Sequence, residues 1–253
     1  MTSAPRHLPR FYGTPRAFTL IELLVVMCII LILVAITLPV INLVRSRMDS
    51  AQCLSQLRQI GTAMGAYMND HEGYFPGPLS FEQTATYKPG QPGSLAALLE
   101  SYLGTANSVA PDGTSRYSPV FVCPAAARKL KGPTQPSYIV SFLQSPESGQ
   151  CVWGDVTQNQ SPLRNSALAN WSDASSGGAP LSLPETWAIQ DGDQNYVAEV
   201  SMYKGPVNDL LPTQAHEDHW NDLFFDFHAA SRSALINISS PTSPTPAGSG
   251  SSH

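Results

Sequence analysis

The chain has 253 residues with 14 basic and 19 acidic side chains, which gives a formal net charge of −5. This acidic balance argues against nonspecific binding of nucleic acid, which depends on basic side chains that contact phosphates. Only 13% of the residues are charged, whereas 22 are Pro and 18 are Gly, so the composition favours a loop-rich domain over an all-helical one.

The first predicted element is a long apolar run near the N-terminus. Residues 23–44 contain no Asp, Glu, Lys or Arg, and a helix of that length can cross the ~30 Å hydrocarbon core of a bilayer. Glu22 stands directly before this run, where a carboxylate is costly in a membrane, so we expect a partner for it. Residues 1–17 carry three arginines and no acidic residue, and such basic flanks stay in the cytoplasm.

The start of the apolar run carries a specific motif, because residues 16–26 read RAFTLIELLVV. This segment resembles the class III signal of type IV prepilins and type II secretion pseudopilins. The resemblance implies that a prepilin peptidase cuts between Ala17 and Phe18 and methylates the new amino group. It also implies that Glu22 faces the amino terminus of a neighbouring subunit during assembly. The family usually has Gly before the cut, so Ala17 departs from the pattern; a plain membrane anchor is the alternative.

Beyond the run, the helical period continues with polar residues mixed in. Apolar side chains recur at steps of three and four residues, which predicts an amphipathic helix. These side chains are Met48, Ala51, Leu54, Leu57, Ile60, Met64, Tyr67 and Met68. Asp49 and Gln56 fall on the predicted polar side. We expect the helix to end near residues 69–73, where Gly73 allows a left-handed cap and Pro76 prevents continuation.

The remaining chain predicts an α+β head, with a helix over 94–103 capped by Ser94 and stopped by Gly104. Short segments rich in Val, Tyr, Phe and Ile predict an antiparallel sheet of four or more strands packed on the stem helix. These segments are 120–123, 137–142, 151–155, 196–203, 222–226 and 234–238. Residues 156–195 read as an insertion in which Trp171 and Trp187 suggest ordered docking.

The predicted organisation follows from these elements. It comprises a cleaved leader over 1–17, a transmembrane helix over 18–44, an amphipathic stem helix over 45–72, a globular α+β head over 73–238 and a low-complexity, disordered tail over 239–253. Residues 56–76 extend the resemblance, since they are similar to the LRQIG…Y…D…GYFP pattern of pseudopilin-like proteins abundant in Planctomycetes and Verrucomicrobia.

The cysteines leave several arrangements open. Cys28 lies in the apolar run and reads as a small buried hydrophobe. Cys53, Cys123 and Cys151 lie in the part expected to be exported, where disulfides form. A Cys53–Cys123 bond would tie the stem to the head and is favoured; a Cys123–Cys151 bond and no bond at all are the alternatives. The spacing contains no C-x-x-C zinc motif.

The densest group of ligand-type side chains lies in residues 216–228, HEDHWNDLFFDFH. It resembles the H…N-x-L-F-x-D-G-H ending of the same pseudopilin-like family, with Phe227 where that pattern has Gly, which predicts a strained turn. One interpretation is a calcium or zinc site, although histidines argue against calcium. Its candidate ligands are Asp155, His216, His219, Asp226 and His228. In the other interpretation, Asp222 and Asp226 accept hydrogen bonds from backbone amides in turns, and no cofactor is bound.

The functional prediction is a structural subunit. The sequence contains no G-x-S-x-G, H-E-x-x-H or Gly-rich phosphate loop, so the head is not predicted to be an enzyme. The resemblance implies a pseudopilin or minor pilin of a type II secretion pseudopilus or type IV pilus-like filament. The implied location is the bacterial inner membrane, crossed once, with the N-terminus cytoplasmic and the head periplasmic. The implied partners are prepilin peptidase, other pilin or pseudopilin subunits in a homo- or heteropolymer, and the inner membrane. The alternative is a membrane-anchored binding protein whose exported head does not polymerise and could hold a metal.

Overall fold

The structure is a computed structural model that describes most of the chain after residue 17. The described residues are 18–105, 108–110, 113–132, 134–141, 143–144, 149–168, 171, 182–194, 210–216 and 218–233. Two compact units divide the chain, Met1–Arg45 and Ser46–His253. The leader with Ala17, the tail and the strands predicted at 196–203 and 234–238 lie outside the described residues.

The longest element is helix α1, which runs from Leu20 to Asp70. Its end is set by a left-handed cap, as predicted: Gly73 has φ +82°, and its N–H donates to the Met68 carbonyl at 2.8 Å. A glycine adopts this φ at no steric cost. The predicted helix stop is therefore confirmed.

In the Ser46–His253 unit, one face of α1 is buried in the core. The face repeats at steps of three and four residues and consists of Cys53, Leu57, Ile60, Met64 and Met68. The prediction was wrong at Met48 and Ala51, which are exposed. It was also wrong at Asp49 and Gln56, which are buried because both have partners in the head. Arg128 forms an ion pair with Asp49, and Gln56 Nε2 donates to the Pro119 carbonyl at 3.1 Å.

The main sheet has five short antiparallel strands, which confirms the predicted α+β class and sheet. The strands are β1 (Glu82–Gln83), β4 (Tyr138–Val140), β5 (Trp187–Asp191), β6 (His219–Phe224) and β7 (Ala229–Ser233). Their spatial order is β1-β4-β5-β6-β7. A separate antiparallel pair joins β2 (Thr86–Tyr87) to β3 (Arg116–Tyr117).

Short helices flank the sheet: α2 (Leu95–Leu98), α3 (Glu100–Leu103), the 3₁₀ turn η1 (Pro119–Phe121), α4 (Pro124–Ala127) and α5 (Asn165–Leu168). The predicted helix at 94–103 is present but breaks at Leu99. Its caps are confirmed: Ser94 Oγ accepts from the Ala97 N–H at 3.3 Å, and Gly104 has φ +67°.

Two strand predictions were wrong. Residues 120–123 lie in η1 and before α4, because Pro119 and Pro124 preset a helical φ at the start of each turn. Residues 151–155 make only isolated bridges. The segment 156–195, taken as an insertion, contributes β5, the middle strand of the sheet; its Gln190 and Asp191 are buried polar residues, so the strand lacks the expected apolar alternation.

The β6–β7 hairpin packs on two glycines of α1. Phe227 in its turn has φ +67°, the strained left-handed conformation expected for this position. A Cβ added to Gly61 would lie 2.9 Å from Leu223 Cδ1 and 3.3 Å from Phe227 Cβ, whereas one added to Gly65 would lie 3.9 Å from its nearest neighbour, Phe227 Cε2. The hairpin therefore approaches α1 most closely at Gly61.

This close approach predicts opposite effects for two alanine substitutions. Gly61→Ala gains helix propensity but crowds the buried Leu223 and Phe227, so we expect a net loss of about 1 kcal/mol in the free energy of unfolding. Gly65→Ala meets only ordinary contact distances, so we expect a gain of about 0.5–1 kcal/mol. Urea unfolding of the full chain in detergent measures both. Equal effects at the two positions would contradict the close packing at Gly61.

Candidate processing and assembly site and the predicted metal ligands

The N-terminal turn of α1 holds Glu22 through a capping box. Glu22 Oε2 accepts from the Thr19 backbone N–H at 2.9 Å and from Thr19 Oγ1 at 2.8 Å. In return, the Glu22 N–H donates to Thr19 Oγ1 at 3.3 Å. This is the reciprocal pattern that Thr-x-x-Glu produces at a helix start. The carboxylate is thereby directed at the end of the helix next to Phe18, the residue that the predicted cleavage would make N-terminal.

The helix that follows this turn exposes apolar side chains on every side. Leu20–Leu38 is long and apolar enough to cross a membrane, judged by length and composition, and none of it is buried. Exposed apolar surface of this extent marks a site for lipid or another protein chain. Cys28, expected to be buried, is exposed with the rest of this segment.

The five predicted metal ligands do not form one site. Asp155 Oδ1 accepts from Thr157 Oγ1 at 2.6 Å, from the Thr157 N–H at 2.7 Å and from the Gln158 N–H at 3.2 Å. These bonds, the one from the hydroxyl above all, hold the pKa of Asp155 below its usual value. Asp226 accepts from the N–H of His228 at 3.1 Å. Both carboxylates therefore accept hydrogen bonds within turns, which the alternative interpretation predicted for Asp226.

His216 and His219, two further predicted ligands, differ in their surroundings. His219 Nδ1 lies 2.6 Å from Asp218 Oδ1, and its Nε2 lies 2.9 Å from Ser50 Oγ. His216 is buried and lies 3.4 Å from Cys123 Sγ. Within the described ranges, only one group of three or more ligand-type side chains is close enough to share an ion: Cys53, Cys123, Asp191 and His216. Of the five predicted ligands it contains His216 alone.

The structure brings Cys53 and Cys123 together without a bond between them. All four cysteines are free, and the two sulfurs lie within 4.8 Å of each other. A hydrogen bond from Cys53 lowers the pKa of the Cys123 thiol, whereas burial raises that of Cys53. Cys151, the other cysteine of the predicted pairings, lies outside this group, and burial raises its pKa to about 11. Cys53 and Cys123 are therefore close together, but neither predicted disulfide is formed in the structure.

A family model described as the prokaryotic N-terminal methylation motif matches residues 15–38. Residues 15–38 are a prepilin-type cleavage and methylation motif. The match covers Phe18, the capping box and the exposed apolar helix, which confirms the resemblance of this segment to a prepilin-type signal. It supports a type IV pilin-like substrate of prepilin peptidase. No curated protein and no solved structure gives a significant match to the chain.

Downstream of the prepilin-type motif, Asp222 is not the turn residue that was expected. It lies in β6, where Arg232 Nε donates to its Oδ2 at 2.6 Å, and its side chain is fully buried. Burial raises the pKa of Asp222 to about 6, although Arg232 opposes the rise. The folded state therefore holds a proton on Asp222 at a pH where the unfolded chain has lost it.

This raised pKa predicts a pH dependence with a definite sign. Between pH about 4 and about 6 the folded state binds more protons than the unfolded state, so the free energy of unfolding falls as pH rises, by up to about 3 kcal/mol. Asp222→Asn should remove that fall. We expect the unfolding free energy of the variant, relative to the unaltered chain, to increase from pH 4 to pH 7 in urea titrations of the detergent-solubilised chain.

Asp226→Asn serves as the matched control for this titration. Burial raises the pKa of Asp226, but the hydrogen bonds and charge of His228 outweigh burial and leave the pKa lowered. The stability that this carboxylate contributes is lost as pH falls, so the pH trend of this variant has the opposite sign. Parallel pH profiles for Asp222→Asn and the unaltered chain would rule out the raised pKa.

Proposed function

We propose that this chain is a pseudopilin or minor pilin, a structural subunit of a type II secretion pseudopilus or type IV pilus-like filament. The observation that carries the proposal is the methylation motif at residues 15–38, which coincides with an exposed apolar helix. Prepilin peptidase cuts between Ala17 and Phe18 and methylates the new terminus. Proteins with this signal are structural rather than catalytic, and the chain acts through assembly.

Assembly would use the exposed face of α1. Side chains such as Leu24, Ile29 and Leu33 are half or more exposed, so copies of the helix can cover one another within a bundle. Inside such a bundle the Glu22 carboxylate needs a cation. The amino group created at Phe18 of a neighbouring subunit supplies one, and the partners are therefore other pilin or pseudopilin subunits, identical or different.

The location follows from the motif and the span. The helix inserts once in the inner membrane of a bacterium. The basic leader remains in the cytoplasm, where the peptidase acts, and the Ser46–His253 unit lies in the periplasm. Arg45 and Arg47 just after the span weaken the charge asymmetry, so this orientation is supported by the motif more than by the count of arginines.

One observation favours a second function, a membrane-anchored binding protein that does not polymerise. Within a single chain, Glu22 already accepts two hydrogen bonds from Thr19. A satisfied carboxylate at a helix N-terminus is stable without a partner chain. Glu22 then caps its own helix, and the chain remains alone in the membrane.

Processing is tested by mass spectrometry of the chain isolated from cells that contain a prepilin peptidase. We expect a mature chain that begins at N-methylated Phe18. Ala17→Gly should be cut at least as completely, whereas Ala17→Leu should retain the leader because the residue before the cut must be small. An unaltered chain that begins at Met1 under these conditions would contradict the proposal.

Assembly is tested by substitutions in the first turn of α1. We expect Glu22→Ala to be inserted and processed normally but to lose at least about tenfold in crosslinked or sedimentable polymer, because the Phe18 amine loses its counter-charge. Ile21→Ala is the matched control, since it truncates an exposed neighbour of similar size without removing charge.

Thr19→Val separates the two roles of Glu22. It removes the hydroxyl of the capping box, worth about 0.5–2 kcal/mol of helix stability, and leaves the carboxylate charge in place. Polymer formation by Thr19→Val alongside its loss in Glu22→Ala supports pairing between chains. Unchanged polymer in Glu22→Ala would show that the carboxylate only caps its own helix.

A further inference from the structure

The buried group Cys53, Cys123, Asp191 and His216, hereafter the core cluster, gathers ligand-type side chains from four separate elements. Cys53 lies on α1, Cys123 precedes α4, Asp191 ends β5 and His216 lies just before β6. All four belong to the Ser46–His253 unit. The geometry points to a structural zinc site in the head of this protein, formed by these four side chains.

The spacing of the donor atoms fits one small ion. The two sulfurs, one carboxylate oxygen and one imidazole nitrogen all lie within 4.8 Å of one another. His216 Nε2 is 3.4 Å from Cys123 Sγ and 3.3 Å from Asp191 Oδ2. Ligands at the corners of a tetrahedron around zinc are separated by about 3.3–3.8 Å, so only small shifts would complete the coordination.

One buried oxygen atom of the core cluster, Asp191 Oδ2, has no hydrogen-bond partner. Asp191 is 1% exposed, and its Oδ2 lies 3.3 Å from His216 Nε2 without forming a hydrogen bond to it. Its other oxygen, Oδ1, accepts from the Asn221 N–H at 2.8 Å, which fixes the carboxylate with Oδ2 towards His216 and the sulfurs. A buried polar atom without a partner is costly, and a cation at the centre of the cluster would remove that cost.

Neighbouring groups hold the ligands in place, as the surroundings of metal sites commonly do. Tyr138 OH lies 3.3 Å from Cys53 Sγ and also donates to Gln56 Oε1 at 3.3 Å. Asn221 orients Asp191 from β6. Each contact comes from an element already fixed by the sheet or by α1, so the cluster is supported by rigid structure.

The donor set selects the class of ion. Two thiolates, one imidazole and one carboxylate form a mixed set of the kind that zinc binds tetrahedrally. Calcium and magnesium take oxygen ligands almost exclusively, and this cluster offers one carboxylate. All four side chains are buried, which fits a structural site without an open position for substrate. The ion would fasten α1 to the sheet at Cys53.

A disulfide between Cys53 and Cys123 is the alternative to zinc binding by the same two sulfur atoms. A disulfide places its two sulfur atoms about 2 Å apart and consumes both thiolates, so it excludes zinc. The two states therefore give opposite results for bound metal and for free thiols in the same sample.

The test uses the full chain, isolated in detergent under anaerobic conditions from cells grown with zinc. Metal analysis and native mass spectrometry should give one zinc per chain, with four thiols titrating after denaturation and metal removal. Cys53→Ser and Asp191→Asn should each weaken zinc binding by more than about tenfold in chelator competition. Cys151→Ser and Asp193→Asn are the matched controls, being buried residues of the same types outside the cluster, and should retain the zinc.

A spectroscopic measurement on the unaltered chain does not depend on how the variants fold. Co²⁺ substituted for zinc should show the thiolate-to-metal charge transfer and intense visible bands of a tetrahedral site with sulfur ligands. Zinc-free chains, a Cys53–Cys123 disulfide in the anaerobic sample, or a cobalt spectrum of octahedral form would each overturn the zinc site. Equal zinc loss in the control variants would also overturn it.

Discussion

The contact between α1 and the β6–β7 hairpin is the constraint on which the head depends. Gly61 and Gly65 leave the helix surface without side chains there, and Leu223 and Phe227 occupy the space. Phe227 accepts a left-handed backbone conformation to do so, at a cost of order 1 kcal/mol or more. A glycine in that turn would relieve the strain but would remove the Phe227 ring that lies against Gly65. Leu223 and Phe227 together thus fill the surface left by the two helix glycines, from a turn that departs from the glycine pattern.

Helix α1 has two different apolar patterns along its length, and each needs a different packing partner. Leu20–Leu38 is apolar on all sides and is not buried by any of the described residues. The segment from Cys53 to Met68 is apolar on one face, and the head buries that face. An all-round apolar helix needs lipid or other helices, and an amphipathic one needs a single packed layer. The change of pattern along one helix therefore joins a segment apolar enough to cross a membrane to a segment that packs into a folded domain.

Local sequence signals predicted those parts of the structure that depend on neighbouring residues. The helix stop at Gly73, the cap at Ser94 and the buried face through Leu57, Ile60 and Met64 all follow from periodicity or from φ preferences. The Thr19–Glu22 capping box likewise corresponds to a local signal, the Thr-x-x-Glu spacing at a helix start. The sheet's existence was predictable, but its middle strand β5 was not, since Gln190 and Asp191 are buried polar residues that no alternation rule favours.

The features that sequence analysis did not predict share one physical property: the residues that contact one another are far apart in the chain. Asp49 is buried beside Arg128, which lies 79 residues further along the chain. The core cluster is the extreme case, since its ligands come from α1, the α4 start, β5 and the approach to β6, with no short spacing to mark them. Dense local ligands in residues 216–228 were a misleading signal, because neighbours such as Asp226 and His228 satisfy each other. A ligand is available to an ion when folding leaves it without a hydrogen bond, and Asp191 Oδ2 is such an atom, placed beside two thiols and an imidazole.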